Sequence, residues 1–286
     1  MSERRVETAR SALSAAELGS DFWGVERPTK IDRYLLIPGD PGRVGLMASQ
    51  WDKAVEYRME RGHRFAQGVY AGVPIGALSS GIGGPSLERM MTQACELGAD
   101  TFIRVGTTGT LREDIKCGDL IINECSVRLD GTSRMYVREE YPAAASFEVT
   151  MALVEACERL GVVYHVGVGA TSASFWAGQG RTAFGGYRTS LMSSLIQDLQ
   201  SANVTNFEME GATLLTLARL FGFRAGVLCA VLANRVTGEW NREHSGVEQA
   251  CRVASEAVRI LADWDGRKQE AGKPHFFPGL LMRNRE

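Results

Sequence analysis

The sequence predicts an α/β fold, a largely parallel or mixed β-sheet with helices on both faces. Three observations lead there. Strand-type runs rich in β-branched and bulky residues alternate with helix-type runs at a spacing suited to crossover connections. Several helical runs carry an apolar stripe and stop at a glycine. Finally, 44% of the 286 residues are hydrophobic and 23% charged, which supplies a core and excludes a disordered chain.

Tyr34 to Ile37 is the first buried strand, and it runs into Pro38-Gly39-Asp40-Pro41-Gly42-Arg43. Two prolines and two glycines make this a rigid strand-to-helix turn, and a helix is expected from Arg43 through Met47 to Gln50. Strands over Arg64–Tyr70 and Pro74–Ser80 meet at an Ala71-Gly72 turn. Gly81-Ile82-Gly83-Gly84-Pro85 follows, with Pro85 placed at N1 of a helix whose apolar face is Leu87, Met90, Met91, Ala94 and Leu97, up to Gly98. Thr101 to Val105 reads as a buried strand that breaks at Gly106-Thr107-Thr108-Gly109. Asp119–Val127 and Tyr164–Ser174 are further strands, separated by a helix over Ser146–Leu160 closed by Gly161. Met209, Leu214, Leu217, Ala218 and Phe221 form one face of a helix ending at Gly222, and Arg224 to Ala233 returns as a strand. Ser245 with Glu248 reads as a capping box for the last helix, whose face is Val247, Cys251, Ala254, Val258 and Leu261. The expected organisation is one domain over 31–265, an extension over 1–30 with a short helix through Ala9 to Leu18, and a polar tail over 266–286.

The formal net charge of -2 leaves no basic footprint for nucleic acid and no polybasic patch for a membrane surface. No apolar run approaches the roughly 18 residues a membrane span needs, and the N-terminus has no apolar core of a secretory signal. The six cysteines form no C-x-x-C pair and the four histidines no ligand spacing, so neither disulfides nor a metal is expected. A cytoplasmic protein with a small-molecule partner is the expectation.

Candidate chemistry gathers at strand ends, where open α/β sheets bind ligands. Arg104 is a charge inside a strand, and two readings stand: pairing with a nearby carboxylate, or an anion site completed by the donors of Gly106 to Gly109. Arg43 adds a second cation after its rigid turn. The glycine loop before Pro85 suits an anion or an ordinary tight connection, but it is not a Walker loop, and Ser86 breaks the dinucleotide pattern. Phe175, Gln179 and Arg181 could stack on and hydrogen-bond a planar heterocycle, or simply be core and loop surface. Glu208-Met209-Glu210 could receive vicinal hydroxyls, or place acids at a helix N-terminus.

Six segments in order carry a resemblance. They are Pro38 to Arg43, Ser80 to Ser86, Arg104 to Gly109, Ser126 to Gly131, Phe175 to Arg181, and Phe207 to Glu210 with Ala212 to Leu215. Together they resemble the nucleoside phosphorylase I family, and within it the uridine-specific branch, from about Tyr34 to Leu261. The resemblance implies a three-layer α/β/α fold around a mixed sheet and reversible phosphorolysis of uridine to uracil and ribose 1-phosphate. It implies inorganic phosphate as co-substrate, no cofactor, and a homodimer with shared active sites or a hexamer of dimers. Gly39, Arg43, Arg104 and Thr107 would hold phosphate, with Arg61 (or Arg64) reaching the neighbouring subunit's site. Glu208, Met209 and Glu210 would bind ribose, and Phe175, Gln179, Arg181 and the backbone of Thr108 and Gly109 the base. Arg43, Arg104, Gln179 and Arg181 would carry the catalysis. Purine-specific relatives place an acid where this chain has Ala233-Asn234-Arg235, which favours a pyrimidine.

Two positions depart from the family. The N-terminal histidine that reaches a neighbour's ribose 5′-hydroxyl is absent, the matching stretch being Asp21-Phe22-Trp23-Gly24. Gly62 stands where some relatives use a glutamate for a monovalent cation, so no potassium site is expected. A different or 5′-modified nucleoside, or a binding protein with impaired turnover, is the alternative these departures leave open.

Overall fold

The computed structural model describes residues 28–281. The N-terminal helix and the Asp21–Gly24 stretch considered above lie outside the described residues. Ten strands, β1 (Tyr34–Pro38), β2 (Lys53–Arg58), β3 (Arg64–Tyr70), β4 (Val73–Leu78), β5 (Thr101–Thr110), β6 (Leu120–Leu129), β7 (Ala143–Ala144), β8 (Tyr164–Ser172), β9 (Val204–Glu208) and β10 (Arg224–Asn234), form one mixed sheet. The helices are α1 (Gly42–Ala48), α2 (Gly84–Glu96), α3 (Thr132–Tyr136), α4 (Phe147–Leu160), α5 (Ser190–Ser201), α6 (Gly211–Phe221) and α7 (Val247–Ala271).

The strands run β10-β6-β8-β9-β5-β1-β4-β3-β2, and β10 also pairs with β5. That second pairing closes β5, β10, β6, β8 and β9 into a ring, while β1, β4, β3 and β2 extend as an open wing. Strand β1 is buried along its whole length, as an apolar parallel strand between two parallel neighbours should be. One core layer packs α1, α4 and α7 on the sheet, through Val44, Met47, Leu153, Val258 and Leu261 among others. The other packs α2 and α6, through Leu87, Met90, Met91, Leu214 and Leu217. Helices therefore cover both faces of a mixed sheet, the three-layer α/β/α arrangement expected.

The hairpin of β3 and β4 turns at Ala71 and Gly72, both at positive φ (47° and 81°), the geometry a two-residue connection between twisted strands demands. Elsewhere the details depart from expectation. Strand β5 does not break at Gly106: it stays paired with β10 as far as Thr110. Its ladder neighbours supply the hydrogen bonds that local glycine content argues against. Met209 precedes α6 instead of lying on its face. The capping box does not form, because Gly246 is the N-cap of α7 and the Ser245 hydroxyl accepts from Asn241 instead. Strands β2 and β9 and helix α5 were not expected at all.

Helix α7 crosses the boundary placed at residue 265 and runs to Ala271, capped by Gly272 in the left-handed region. Tertiary contacts hold it there. Lys268 and Arg224 pair with Glu148 and Asp265, and Tyr34 donates to Asp265. Phe276 then stacks on Trp264 with centroids 3.9 Å apart and planes at 7°, its amide donating to Glu148.

Burial alone raises the Asp265 carboxyl, but hydrogen bonds from Arg224, Lys268 and Tyr34 outweigh it and hold the group well below the usual carboxylate range. A depressed carboxylate contributes stability above its unfolded pKa of roughly 4 and loses it as pH falls through the folded value. Urea unfolding from pH 7 down to pH 3 should therefore show an acid loss of stability that is smaller in Asp265→Asn. Phe276→Ala should cost about 3 kcal/mol in the same measurement at pH 7.

Candidate active site

The carboxyl ends of β1, β5, β9 and β10 surround a cavity of about 620 Å³. Gly39, Arg43, Arg104, Thr107, Thr108, Gly109, Phe175, Gln179, Arg181, Glu208, Met209 and Glu210 all line it. These are the residues singled out from sequence, with the exception of Arg61. They come from segments up to 171 positions apart, Gly39 to Glu210.

At one end lies Arg104, almost wholly buried inside β5. Its Nε donates to Glu208 at 2.8 Å and its Nη2 pairs with Glu210. Both sequence readings of this arginine thus hold in part: two carboxylates compensate the charge, and Nη1 remains buried with no protein partner. Burial opposes the charge, yet Glu210 and Glu208 together push its pKa above that of a free guanidinium. Gly106 lets the side chain fold back, since a Cβ there would meet Arg104 Nη2 and Cys229 Sγ at 2.9 Å. Gly39 is what Nη1 faces, 4.0 Å from where a Cβ would stand. Arg43 reaches the same corner from α1, donating to the carbonyl of Val105 at 3.1 Å and to the Thr107 hydroxyl at 3.4 Å. Burial and the Arg104 charge both lower its pKa. Arg104 is compensated by its two carboxylates and Arg43 makes no ion pair among the described residues, so the corner keeps a surplus of positive charge of the kind that suits an anion.

The two carboxylates differ. Glu208 accepts from Arg104 Nε, from the amides of Glu210 and Gly211, and from the Thr171 hydroxyl, so both of its oxygens are occupied. It is an anchor, poorly placed to receive further donors. Glu210 has only Arg104 and the Gly83 amide, and it faces the cavity beside Met209. Burial raises its pKa, the attraction of Arg104 opposes that, and repulsion from Glu208 adds to it, leaving the net direction upward.

The far end begins about 16 Å along β5 from Arg104, five residues at a strand's rise. Here the Arg181 guanidinium lies over the Phe175 ring, 4.4 Å from its centroid, with its buried Nε unpartnered. Arg235, for which sequence supplied only the absence of an acid, bonds the carbonyl of Gln179 at 3.0 Å and leaves Nη1 buried and unpartnered. Its side chain packs against Gly109, where a Cβ would meet Arg235 Cγ at 3.3 Å. Burial and then the Arg181 charge lower its pKa to about 10. Asn234, its neighbour, is spent on structure: its amide donates to the carbonyls of Arg112 and Ile115 and accepts from Val236 and Thr237. Trp240 and Leu232 also line this cavity, and no local pattern distinguishes them in sequence.

Arg61 does not line the cavity of its own chain. It sits exposed in a tight turn over Glu60–Gly62 at φ 58°. Arg64 points elsewhere, its guanidinium near Gly45 of α1 and beside Glu56. No group of three or more His, Cys, Asp or Glu that could hold a metal occurs among the described residues.

An α/β/α sandwich whose strand ends present two guanidinium groups at one end, a carboxylate beside a methionine, and an aromatic ring carrying a guanidinium at the other defines a glycosyl-transfer site of the phosphorylase type. The chain belongs to the phosphorylase superfamily, whose model matches residues 33–263. It is 53% identical over 264 residues to the uridine phosphorylase of Thermococcus kodakarensis, covering 92% of this chain and 95% of that protein. It is 38% identical over 229 residues to the uridine phosphorylase of Escherichia coli strain K12, covering 80% and 89%. A guanosine phosphorylase of Halorubrum lacusprofundi is 32% identical over 241 residues, covering 81% and 95%.

Replacing Glu208 with Gln leaves a buried guanidinium with one of its two carboxylate partners. We expect it to destabilise the ligand-free protein by about 3 kcal/mol in urea unfolding, where a solvated surface ion pair would cost under about 1 kcal/mol.

Proposed function

We propose that this chain catalyses the reversible phosphorolysis of uridine to uracil and ribose 1-phosphate. One observation carries the reading: a single cavity is lined at one end by Arg104, with Nη1 unpartnered, and at the other by Arg181, with Nε unpartnered, while Arg235 packs behind Gly109. Breaking a glycosidic bond with phosphate involves two anions, the nucleophile and the departing base, on either side of a sugar that becomes cationic.

Phosphate sits at Gly39 between Arg43, Arg104 and Thr107, aimed at C1′. Ribose lies over Met209 with its vicinal hydroxyls toward Glu210, while Glu208 holds Arg104. Uracil stacks on Phe175, between the backbone of Thr108 and Gly109 and the donors of Gln179 and Arg181, with Arg235 reinforcing the charge there. As the C1′–N1 bond lengthens, its electron pair moves onto the base, where Arg181 and Arg235 receive the charge. A phosphate oxygen then forms the new bond to C1′, and the proton that hydrogen phosphate gives up ends on N1 of the departing base, so that charge and atoms balance. No covalent enzyme intermediate and no cofactor is required. The cationic base end, lacking a carboxylate at Asn234, suits a pyrimidine whose carbonyl oxygens accept hydrogen bonds. The active form is a homodimer or an assembly of dimers, in which exposed Arg61, rather than Arg64 near Gly45 of α1, enters the neighbouring subunit's site. A cytoplasmic role in pyrimidine salvage follows from this activity.

Uracil release measured with and without phosphate tests the reading. Release only with phosphate is expected; release without it would mark a hydrolase, and none at all would refute the assignment. Arg181→Ala should lower kcat about a hundredfold, the roughly 3 kcal/mol that one preorganised charge-stabilising donor contributes. Because Glu210 must be ionised to accept from ribose and its pKa is raised, activity should fall as pH drops through a value above the usual glutamate range of about 4.3. Glu210→Gln should lose this acid limb along with most of its activity.

A further inference from the structure

Behind the anion corner runs a chain of buried hydroxyls that the proposed chemistry does not use. Thr171, near the end of β8, is fully buried, and its hydroxyl bonds one oxygen of Glu208. The same Thr171 oxygen accepts from the Ala212 amide at 2.7 Å and lies 2.8 Å from the hydroxyl of Ser126 on β6. A threonine hydroxyl has one proton and two lone pairs. The carboxylate can only accept and the amide can only donate, so Thr171 gives its proton to Glu208 and accepts from both Ala212 and Ser126. Every valence is used and the direction is set: Ser126 donates to Thr171, Thr171 to Glu208, and Glu208 receives Arg104 Nε. Neither Ser126 nor Thr171 lines the cavity.

We propose that Thr171, supported by Ser126, is a positioning residue that sets the aim of Arg104 and hence the affinity of the site for the oxyanion nucleophile. The inference rests on reading the Arg104 corner as the phosphate site. It also assigns a part to the Ser126–Gly131 segment, to which family resemblance attached no site role. Three donors besides Thr171 Oγ1 make four contacts with Glu208: Arg104 Nε at 2.8 Å, the Glu210 amide at 2.9 Å and the Gly211 amide on both oxygens at 2.7 and 2.8 Å, three of these contacts falling on the oxygen that holds Arg104. Thr171 supplies the side-chain contact that holds the opposite oxygen. Without it that oxygen keeps only the Gly211 amide, so the carboxylate can tilt about the three contacts on its other oxygen, and Arg104 Nε shifts with it. Nη1, which has no protein partner to restrain it, then leaves the direction of Gly39. At the base end, the side chains of Phe175, Gln179 and Arg181 make no hydrogen bond with Glu208 or Thr171 among the described residues.

The test is calorimetric titration of the full chain with inorganic phosphate, followed by steady-state kinetics with uridine. Thr171→Val, which preserves volume and removes the donor, should weaken phosphate binding about tenfold, the value of a hydrogen bond to a charged group. Thr171→Ser should restore binding to within about threefold, and Ser126→Ala should weaken it about threefold through the shared lone pair. The uridine KM at saturating phosphate should change less than about threefold in each variant, a split that a general loss of packing would not produce. Unchanged phosphate binding in Thr171→Val, or uridine and phosphate constants rising together, overturns the proposal. Should Thr171→Val fail to fold, Ser126→Ala decides, and phosphate binding equal to the parent's overturns it. A parent protein that binds phosphate but does not cleave uridine would refute the nucleoside assignment while leaving the titrations fully readable.

Discussion

A guanidinium shut inside a β-strand between two carboxylates is the constraint on which the site depends. Removing Arg104 and Glu208 from water is expensive, and their mutual attraction offsets that cost only with complete hydrogen bonding. The structure meets the condition on the Glu208 side, where backbone amides and the Thr171 hydroxyl surround the carboxylate. On the other side it stops one bond short, and Arg104 Nη1 has no protein partner. A fully satisfied pair would be inert; a less satisfied one would be too costly to fold.

The ring of β5, β10, β6, β8 and β9 is what makes such an arrangement possible. Because β10 pairs with β5 as far as Thr110, and β9 joins on the other side at Gly109 and Thr110, the backbone of Gly106 to Gly109 is held in the ladder beside the cavity. Arg104 at the anion corner and Gly109 near Arg235 therefore keep a fixed separation along a single strand. β9 joins the ring next to that strand and delivers Glu208, with Met209 and Glu210 in the turn that follows. The rigid parts carry the charges that must be placed accurately, and the residues between Ser172 and Ser190, which include Phe175 and Arg181, lie on an irregular segment outside the sheet.

Much of the fold was legible in local pattern. The buried run of β1, the Ala71-Gly72 turn, the stripe of α2 and the glycine stops of α4 and α6 depend on near neighbours, so they read directly from composition and period. The misses share one cause, tertiary contact overriding a local signal. Gly106 and Gly109 suggest a broken strand, yet ladder bonds from β10 carry β5 through them. Ser245 with Glu248 has the pattern of a capping box, but Asn241 takes the serine hydroxyl. The polar composition after Trp264 suggests a tail, whereas Lys268 is drawn into a charge network and Phe276 onto the Trp264 ring.

The site divides the same way. By itself the sequence determined the residue types and their order along the chain: the arginines, the acid-methionine-acid triplet, the aromatic with its amide and guanidinium. Those are covalent facts, and they fix which chemistry is available. Only the tertiary structure decided how the roles are shared. Which of two adjacent glutamates is saturated and which faces the cavity depends on where Thr171 and the α6 amides stand, not on the identity of either residue. Trp240 reached the cavity, and Arg235 its packing against Gly109, through the closure of β10 onto β5, a contact more than a hundred residues away in sequence, and no window of local pattern spans that distance.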